Sequence, residues 1–319
     1  MKLETPTILI IDDVDEMLVL GLKANGFEVN YLPNATVNEI LNLIPNADGL
    51  IVRTKIKIDQ VIFDAAKKLK FIARAGAGTD NIDMQIANEK NIVVLNAGEA
   101  NSDAVGEQTL AMLLGLFTKT VKANNEVKKF IWDREGNRGI ELAGKTVGII
   151  GYGNTGKAVA KKLSGFGVNV LAYDKYLTDY TDAYAIESTM ADVFEKADVL
   201  TLHVPLTNET EQMVDLNYLN QFKKNIWVLN LSRGKVLNTP EFVLALKSGK
   251  VIGAGLDVLE NEKINSLSDM ENKWFDFFLQ SPNVILTPHV GGWTNESYRK
   301  ISEVLLKKIL HLKFNLSVS

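Results

Sequence analysis

The 319-residue sequence contains no cysteine and only three histidines. The absence of cysteine excludes disulfides, thiol nucleophiles and metal sites built on thiolates. The histidines are His203, His289 and His311, and no two of them have the spacing of a metal-ligand pair. We therefore expect no bound metal.

The sequence also lacks a long apolar run and a large net charge. No apolar stretch approaches the ~20 residues that a membrane span needs, and the opening residues MKLETPTILIIDD lack the basic region and apolar core of a signal peptide. The formal net charge is −4 and the basic residues form no stripe, which argues against a nucleic-acid or anionic-membrane partner. We expect a cytoplasmic protein that binds a small molecule.

Length and patterning predict two α/β domains. The chain is longer than the ~250–300 residues at which a single hydrophobic core stops growing. Short apolar runs alternate with helical patterns before residue 100, and a second alternating series begins at KTVGIIG (145–151). This alternation is typical of parallel sheets with helices on both faces. We expect two lobes joined by two chain crossings, with the substrate in a cleft.

Three glycines separate a strand pattern from a helix pattern in VGIIGYGNTGKAVAKKL, residues 147–163. A turn that binds a pyrophosphate must let its backbone approach the phosphates and point a helix N-terminus at them. Gly151 suits the tight turn, Gly153 the phosphate approach and Gly156 the packing of helix on strand. The next strand pattern ends at Asp174, 23 residues after Gly151, where a carboxylate binds the adenosine ribose and repels a 2′-phosphate. The pattern predicts an NAD site that disfavours NADP.

Further segments along nearly the whole chain carry a resemblance: RAGAGTDNID, TLHVPLT, NLSRGKVL, GAGLDVLENE and TPHVGG, together with GYGNTG and its aspartate. With these segments the sequence resembles the D-isomer-specific 2-hydroxyacid dehydrogenase family. VRTK at 52–55 and ARAGAGTDN at 73–81 are most similar to its short-form D-3-phosphoglycerate dehydrogenases. The resemblance implies a flavodoxin-like substrate domain (1–99 plus 294–319) and an inserted NAD-binding Rossmann domain (100–293). It also implies a homodimer built on the crossing helix that follows residue 100.

Oxidation of a secondary alcohol by hydride loss needs a group that takes the hydroxyl proton and a cation that holds the oxygen. Arg233 follows the strand pattern IWVLNL, and its guanidinium can bridge a carboxylate and a C2 oxygen with two hydrogen bonds. The resemblance assigns Arg233 to the substrate, His289 to acid/base catalysis and Glu262 to orienting the imidazole and keeping it protonated for reduction. Without the resemblance, His289 is a core or loop histidine and Glu262 a solvated carboxylate.

The resemblance implies a wider set of cofactor contacts. Asp257 in GLDV matches a carboxylate near the nicotinamide, although its position alone fits an ordinary acid at a strand end equally well. The implied cofactor-binding residues are Gly151, Gly153, Asn154, Thr155, Gly156, Asp174, His203, Pro205 and Asp257.

The segment RAGAGTDN is a candidate anion-binding loop. Gly76 and Gly78 free backbone N–H groups to point at a carboxylate. The alternative is a turn leading to a helix capped by Asp80 or Asn81, and both interpretations can hold at once.

Arg53 and Arg74 also follow strand patterns, and two additional cations imply a second anionic group on the substrate, such as a phosphate. The alternative is surface ion pairing. Trp293 stands where many relatives have a small residue, and we expect it to narrow the substrate site. The resemblance implies substrate contacts from Arg53, Arg74, Ala75, Gly76, Asn101 and, across the dimer, Arg134.

Together with these residues, the resemblance implies NAD-dependent oxidation of D-3-phosphoglycerate to 3-phosphohydroxypyruvate, the first step of serine biosynthesis. A second enzyme hypothesis is reduction of glyoxylate, hydroxypyruvate or another small 2-keto acid. A hypothesis of a different class is an NAD-sensing interaction protein, because corepressors that resemble this family retain the same Arg, Glu and His.

Overall fold

A computed structural model of the chain describes the backbone of residues 5–316 and the side chains of residues 5–312. Its strands are β1 (Thr7–Ile10), β2 (Glu28–Tyr31), β3 (Gly49–Val52), β4 (Phe71–Arg74), β5 (Val93–Leu95), β6 (Thr146–Ile150), β7 (Asn169–Tyr173), β8 (Ile186–Glu187), β9 (Val199–Leu202), β10 (Ile226–Asn230), β11 (Val251–Leu256) and β12 (Val284–Leu286). Its helices are α1 (Glu16–Ala24), α2 (Val37–Leu43), α3 (Gln60–Ala65), α4 (Met84–Glu89), α5 (Gly98–Phe117), α6 (Thr120–Val127), α7 (Asn154–Leu163), α8 (Met190–Lys196), α9 (Leu216–Asn220), α10 (Thr239–Ser248), α11 (Asp269–Gln280) and α12 (Asn295–Leu316). Within that part of the chain, no helix combines the length and the apolar character needed to cross a bilayer.

The chain forms two compact units, one running to Asn101 and resuming at Trp293, the other comprising Ser102–Gly292. The first unit has a five-stranded sheet in the order β2-β1-β3-β4-β5, and the second a seven-stranded sheet in the order β12-β11-β10-β9-β6-β7-β8. All the strand pairs are parallel. The first order is flavodoxin-like, and the second is the Rossmann order with one added strand. The predicted fold class is therefore confirmed.

In the first unit, α12 completes the layer that covers one face of the sheet. Leu305 and Ile309 of α12 are buried in the same cluster as Leu18 and Leu22 of α1. The two helices approach closely at Gly21, where a Cβ atom would lie 2.4 Å from a methyl carbon of Leu306. The apolar stripe of the final helix thus packs against the first helix of the chain.

In the second unit, α5 contributes a row of buried apolar side chains to the core. Met112, Leu113 and Leu116 cluster with Val147 of β6 and Leu229 of β10, among others. This apolar packing explains why the sequence of α5 is hydrophobic around most of its circumference between residues 110 and 117.

Both sheets are clamped at their amino ends by an aspartate that precedes a central strand. Asp48 Oδ2 accepts a hydrogen bond from Thr7 N at 2.9 Å, and its Oδ1 lies 2.9 Å from Lys70 Nζ. Asp198 repeats the arrangement in the second unit, with Thr146 N at 2.8 Å and Lys224 Nζ at 3.0 Å. In each unit the aspartate carboxylate joins the start of the first strand (β1 or β6) to the start of the neighbouring strand (β3 or β9). We refer to these two arrangements as the amino-end clamps.

Candidate active site

The glycine turn between β6 and α7 has the geometry expected of a phosphate-binding turn. Gly151 has φ +92°, and a Cβ atom there would lie 2.5 Å from the carbonyl oxygen of His203. A Cβ on Gly156 would lie 2.1 Å from the Gly151 carbonyl oxygen, so glycine allows the helix to approach the strand. At Gly153, the N-cap of α7, no atom lies within 4 Å of such a Cβ and no side chain caps the helix. The uncapped N–H groups and the open space fit a bound phosphate.

Asp174 follows β7 and is held against this turn. Its Oδ2 accepts a hydrogen bond from Tyr152 N at 2.8 Å, and its Oδ1 accepts hydrogen bonds from Tyr176 N at 2.9 Å and Leu177 N at 3.2 Å. Three backbone donors therefore fix the carboxylate beside the glycine turn, where the adenosine ribose of a bound dinucleotide would lie. Asn154 and Thr155 form the first turn of α7.

His203 and Pro205 follow β9, which is a neighbour of β6 in the sheet. The Nε2 atom of His203 lies 2.9 Å from Thr201 Oγ1. Burial lowers the pKa of His203 to about 3, so its imidazole is neutral at ordinary pH. The His203 ring is thus unsuited to proton transfer with a substrate, while its carbonyl oxygen lies beside Gly151 and contributes to the shape of the turn.

His289 and Glu262 form a hydrogen-bonded pair with both side chains about half exposed. His289 Nδ1 lies 2.9 Å from Glu262 Oε1 and 3.1 Å from its Oε2. The hydrogen bond to Glu262 raises the pKa of His289, although partial burial opposes the shift. Because Nδ1 faces the carboxylate, Nε2 is the ring nitrogen that can exchange a proton with a substrate. His289 has φ +56°, an uncommon conformation for a residue with a side chain.

Asp257, at the end of β11, holds the loop that carries His289. The buried carboxylate accepts hydrogen bonds from Thr287 Oγ1 at 2.5 Å, Val290 N at 2.9 Å and Gly291 N at 2.8 Å. The Asp257 carbonyl oxygen also accepts a hydrogen bond from His289 N at 2.8 Å. These bonds fix the His289 backbone in its unusual conformation. The expected contact of Asp257 with a cofactor stays a prediction.

Arg233 follows β10, and its loop is organised by Asn230, the fully buried last residue of that strand. Asn230 Nδ2 donates to the Arg233 carbonyl oxygen at 2.9 Å, and its Oδ1 accepts hydrogen bonds from the N–H and the hydroxyl of Ser232. The guanidinium donates to the Ser232 carbonyl oxygen at 2.7 Å. Its charge opposes the rise in the pKa of His289, but the hydrogen bond to Glu262 is the larger influence.

Gly234 brings the Arg233 loop into contact with the segment that leads to Glu262. A Cβ atom on Gly234 would lie 1.9 Å from the carbonyl oxygen of Leu259, so no other residue fits without movement of the backbone. The structure thus brings Arg233, Glu262 and His289 together in the second unit, as their proposed roles require.

In the first unit, Arg74, Ala75 and Gly76 end β4 and begin the predicted anion-binding loop. Gly76 has φ +150°, and a Cβ atom there would lie 1.6 Å from Arg74 Nη1. The Arg74 guanidinium therefore lies directly over the Gly76 backbone. Ala75 is buried, and its N–H donates to the carbonyl oxygen of Val52 on the adjacent strand.

Arg53 follows β3, next to β4, and is covered by Trp293. The guanidinium carbon lies 3.7 Å from the centroid of the Trp293 ring, a close cation–π contact. Arg53 N donates to Asp12 Oδ2 at 2.5 Å. Burial lowers the pKa of Arg53, and the charge of Asp12 opposes the shift. Trp293 in turn packs edge-to-face on Tyr298, with ring centroids 6.3 Å apart.

The two remaining predicted substrate residues lie elsewhere. Asn101 is in the first turn of α5, and Arg134 is on an exposed turn after α6. Sequence reasoning missed the positioning roles of Asn230, Thr287 and Gly234. Only Asn230 carried a visible signal, because it is a polar residue at the end of the apolar run IWVL. Over the described residues, no group of three or more potential metal ligands is present.

Comparison with known proteins identifies a matching family model and several similar proteins. Residues 110–291 match the family model "D-isomer specific 2-hydroxyacid dehydrogenase, NAD binding domain". The chain is 36% identical over 307 residues to a D-3-phosphoglycerate dehydrogenase of Methanocaldococcus jannaschii, covering 95% of this chain and 56% of that protein. It is 37% identical over 274 residues to a hydroxypyruvate reductase of Thermotoga maritima, covering 85% and 87% respectively.

A solved structure with a similar fold is the D-lactate dehydrogenase of Aquifex aeolicus complexed with NAD and lactic acid. It superposes with a TM-score of 0.84 at 26% identity and covers 98% of this chain and 96% of that one. The chain spans a little over half the length of the first phosphoglycerate dehydrogenases it matches, 56% and 58%. The family model and the hydroxypyruvate reductase match together show that this chain belongs to the D-isomer-specific 2-hydroxyacid dehydrogenase family.

Proposed function

We propose that the protein is an NAD-dependent D-2-hydroxyacid dehydrogenase that oxidises D-3-phosphoglycerate to 3-phosphohydroxypyruvate, the first step of serine biosynthesis. The observation that carries the proposal is the grouping of Arg233, Glu262 and His289, in which the imidazole is oriented and its pKa raised by a carboxylate. A cation and an oriented acid/base at the same edge of the sheet as a dinucleotide-binding turn are what hydride transfer at an alcohol carbon requires.

The glycine turn and Asp174 fit NAD. The open space at Gly153, the uncapped start of α7 and the fixed carboxylate of Asp174 suit a pyrophosphate and an unsubstituted ribose. When bound, NAD supplies the hydride acceptor. A carboxylate at this position disfavours a 2′-phosphate, so NADP is the poorer ligand.

The protein side chains then handle the substrate. His289 takes the hydroxyl proton at Nε2 during oxidation and returns it to the carbonyl oxygen during reduction. Glu262 holds the ring through Nδ1 and stabilises the imidazolium. Arg233 binds the substrate carboxylate and the C2 oxygen with its planar guanidinium.

A phosphorylated substrate is supported by the two arginines of the first unit. Arg53 immediately follows β3, and Arg74 is the last residue of the adjacent strand β4, where it lies opposite Val52. Two guanidinium groups at one edge of a sheet suit a phosphate. Several relatives are named D-3-phosphoglycerate dehydrogenase. A second candidate, reduction of hydroxypyruvate, is favoured by the relative of that name, because this chain covers most of its length.

We also propose that the protein is a homodimer. Three consecutive apolar side chains after α6 are solvent-exposed: Phe130 at 100%, Ile131 at 47% and Trp132 at 80%. Exposed apolar patches of this kind mark protein interfaces, and a second copy of the chain is the simplest partner. Arg134 is exposed two residues beyond Trp132, so in a dimer built on this patch it would lie near the neighbouring subunit.

The experiment that tests the function is a substrate panel that compares the native protein with Arg53→Ala, using NAD and NADP for oxidation of hydroxy acids and NADH and NADPH for reduction of keto acids. We expect turnover of D-3-phosphoglycerate with NAD, and a rise in its KM of about tenfold or more in the variant, since a charge-assisted bond to phosphate is lost. The KM for glycerate should change little.

An unchanged KM for the phosphorylated substrate would favour the hydroxypyruvate reductase. Absence of turnover with every short 2-keto acid, despite NADH binding, would instead favour an NAD-sensing interaction protein.

A further inference from the structure

Two loops on either side of the glycine turn are bridged by charged and aromatic side chains. The strands β7 and β9 both pair with β6, so the loops that follow them flank the turn at the end of β6. Lys175 Nζ, in the loop after β7, lies 2.7 Å from Glu209 Oε2 in the loop after β9. The hydroxyl of Tyr176 donates to the same Glu209 oxygen at 2.7 Å. We call this arrangement the Lys175–Glu209 bridge.

The bridge includes the cationic side chain that is nearest in sequence to Asp174, the carboxylate expected to bind the adenosine ribose. Lys175 immediately follows Asp174, whose carboxylate is fixed beside the glycine turn. Rossmann enzymes that use NADP place a basic side chain near this position to bind the 2′-phosphate. Here the ammonium group of Lys175 is instead paired with Glu209. The pKa of Lys175 is raised and the pKa of Glu209 is lowered, each chiefly by the hydrogen bond between them.

The bridge is not needed to hold the unit together. The side chains of Lys175 and Glu209 are 55% and 53% exposed, and exposed ion pairs contribute little to stability. Glu209 also stands in a turn with its own hydrogen bonds, in which Thr207 N donates to Thr210 Oγ1 at 2.9 Å. The pair therefore affects what binds beside it more than it affects folding.

We propose that Glu209 is a second determinant of nucleotide choice, acting through Lys175. Because Glu209 pairs with the ammonium group of Lys175, that group is not available to bind the 2′-phosphate of NADP. Asp174 repels the same phosphate. Removal of the Glu209 charge frees Lys175 to bind a 2′-phosphate. This inference rests on the proposed NAD site and goes beyond it, because it assigns part of the discrimination to a residue in the loop after β9, which acts by pairing with Lys175.

The test is direct titration of the full chain with NADH and NADPH, measured by nucleotide fluorescence so that no turnover is needed. The variant is Glu209→Gln, which keeps the size and hydrogen-bonding capacity at Tyr176 but removes the charge. We expect the Kd for NADPH to fall about fivefold, as for a surface cation that gains a phosphate partner, with the Kd for NADH within about twofold of native. In an Asp174→Ala background, the same change should give a larger gain.

Two controls separate this role from a general surface-charge effect. Glu195→Gln removes a comparable exposed ion pair of the same unit, Lys223 Nζ to Glu195 Oε1 at 2.7 Å, and should leave both affinities unchanged. Adding Lys175→Ala to Glu209→Gln should cancel the gain in NADPH affinity. The gain should also shrink as salt is raised from 0.05 to about 0.5 M, because counterions screen an exposed pair.

The outcomes are distinguishable. If the native chain binds NADH and Glu209→Gln leaves the NADPH-to-NADH affinity ratio unchanged, the role of Glu209 is overturned and the proposed function stands. An equal gain in the Glu195→Gln control would also overturn it. If the native chain binds neither nucleotide, the proposed function and this inference fail together.

Discussion

The two units of the molecule resemble each other at the amino ends of their sheets and differ at the carboxyl ends. At the amino ends, Asp48 and Asp198 form the same clamp, with a backbone donor and a lysine each. At the carboxyl end of the second unit, Asp257 accepts hydrogen bonds that fix the His289 loop, and Asn230 donates one that fixes the Arg233 loop. At the carboxyl end of the first unit, Arg53 is instead oriented by the face of Trp293.

This difference separates parts that stabilise a sheet from parts that act on a ligand. The shared clamps join strands and carry no proposed chemistry. The hydrogen-bonded loops of the second unit hold atoms in fixed directions, which proton transfer requires. A stacked arginine keeps its plane but can slide over the ring, which is adequate for holding an anion. The following predictions test this separation, from the largest expected effect to the smallest.

Asp257→Asn should have the largest effect. One carboxylate oxygen becomes an amide NH₂ that faces a donor, so a buried hydrogen bond to the His289 loop is lost. We expect the free energy of unfolding to fall by about 2–3 kcal/mol, and kcat/KM to fall about 100-fold because the imidazole is misplaced. Urea denaturation and steady-state kinetics measure the two effects.

The matched control is Asp198→Asn, at the opposite end of the same sheet. It weakens an amino-end clamp and should cost about 1 kcal/mol of stability without changing kcat/KM. If Asp257→Asn were as active as Asp198→Asn, Asp257 would have no part in positioning His289.

Glu262→Gln should shift the pH dependence of the reaction. Reduction of a keto acid needs the imidazolium, so its rate is full below the pKa of His289 and lost as pH rises through it. Because Glu262 raises that pKa, the variant should lose activity at a lower pH than the native protein. We expect kcat/KM at neutral pH to fall about tenfold, because fewer molecules carry the imidazolium and the ring loses the carboxylate that orients it. Initial rates of reduction between pH 5 and about 9 measure the shift.

Glu260→Gln is the control for this experiment, since Glu260 lies in the same ENE segment but accepts a hydrogen bond from Thr239 N at 3.2 Å. Its pH profile should match that of the native protein. An unshifted profile for Glu262→Gln would mean that the group responsible for the pH dependence is not His289.

Trp293→Ala should have the smallest effect, and this effect should be confined to phosphorylated substrates. Without the ring, the Arg53 guanidinium loses its orientation, and we expect the KM for D-3-phosphoglycerate to rise about threefold while kcat stays the same. Trp293→Phe keeps an aromatic face and should behave like the native protein. A fall in KM would show instead that the tryptophan blocks the phosphate.

The parts of the site that could be predicted from the sequence are those determined by short segments. The glycine turn and Asp174 belong to one strand–turn–helix–strand unit, and the structure places the carboxylate against that turn. Arg233 and His289 each follow a strand, and parallel strands bring their carboxyl ends to one edge of a sheet. The fold class followed from the alternation of apolar runs and helical patterns.

Residues whose partners are distant in the chain could not be assigned in this way. The expected helix cap at Asp80 or Asn81 was wrong: Asp83 caps α4 by accepting hydrogen bonds from Gln85 N and Ile86 N. Asn81 instead donates to the carbonyl oxygens of Arg53 and Ile56. Several neighbouring side chains could cap the helix, and the choice depends on a loop more than 20 residues away.

The contact between Gly234 and the carbonyl oxygen of Leu259 has a consequence for protein engineering. Since the two backbones touch, neither the arginine loop nor the glutamate loop can change length or shape independently of its neighbour. A graft from another dehydrogenase has to transfer both loops as one block, with glycine retained at the point where they meet.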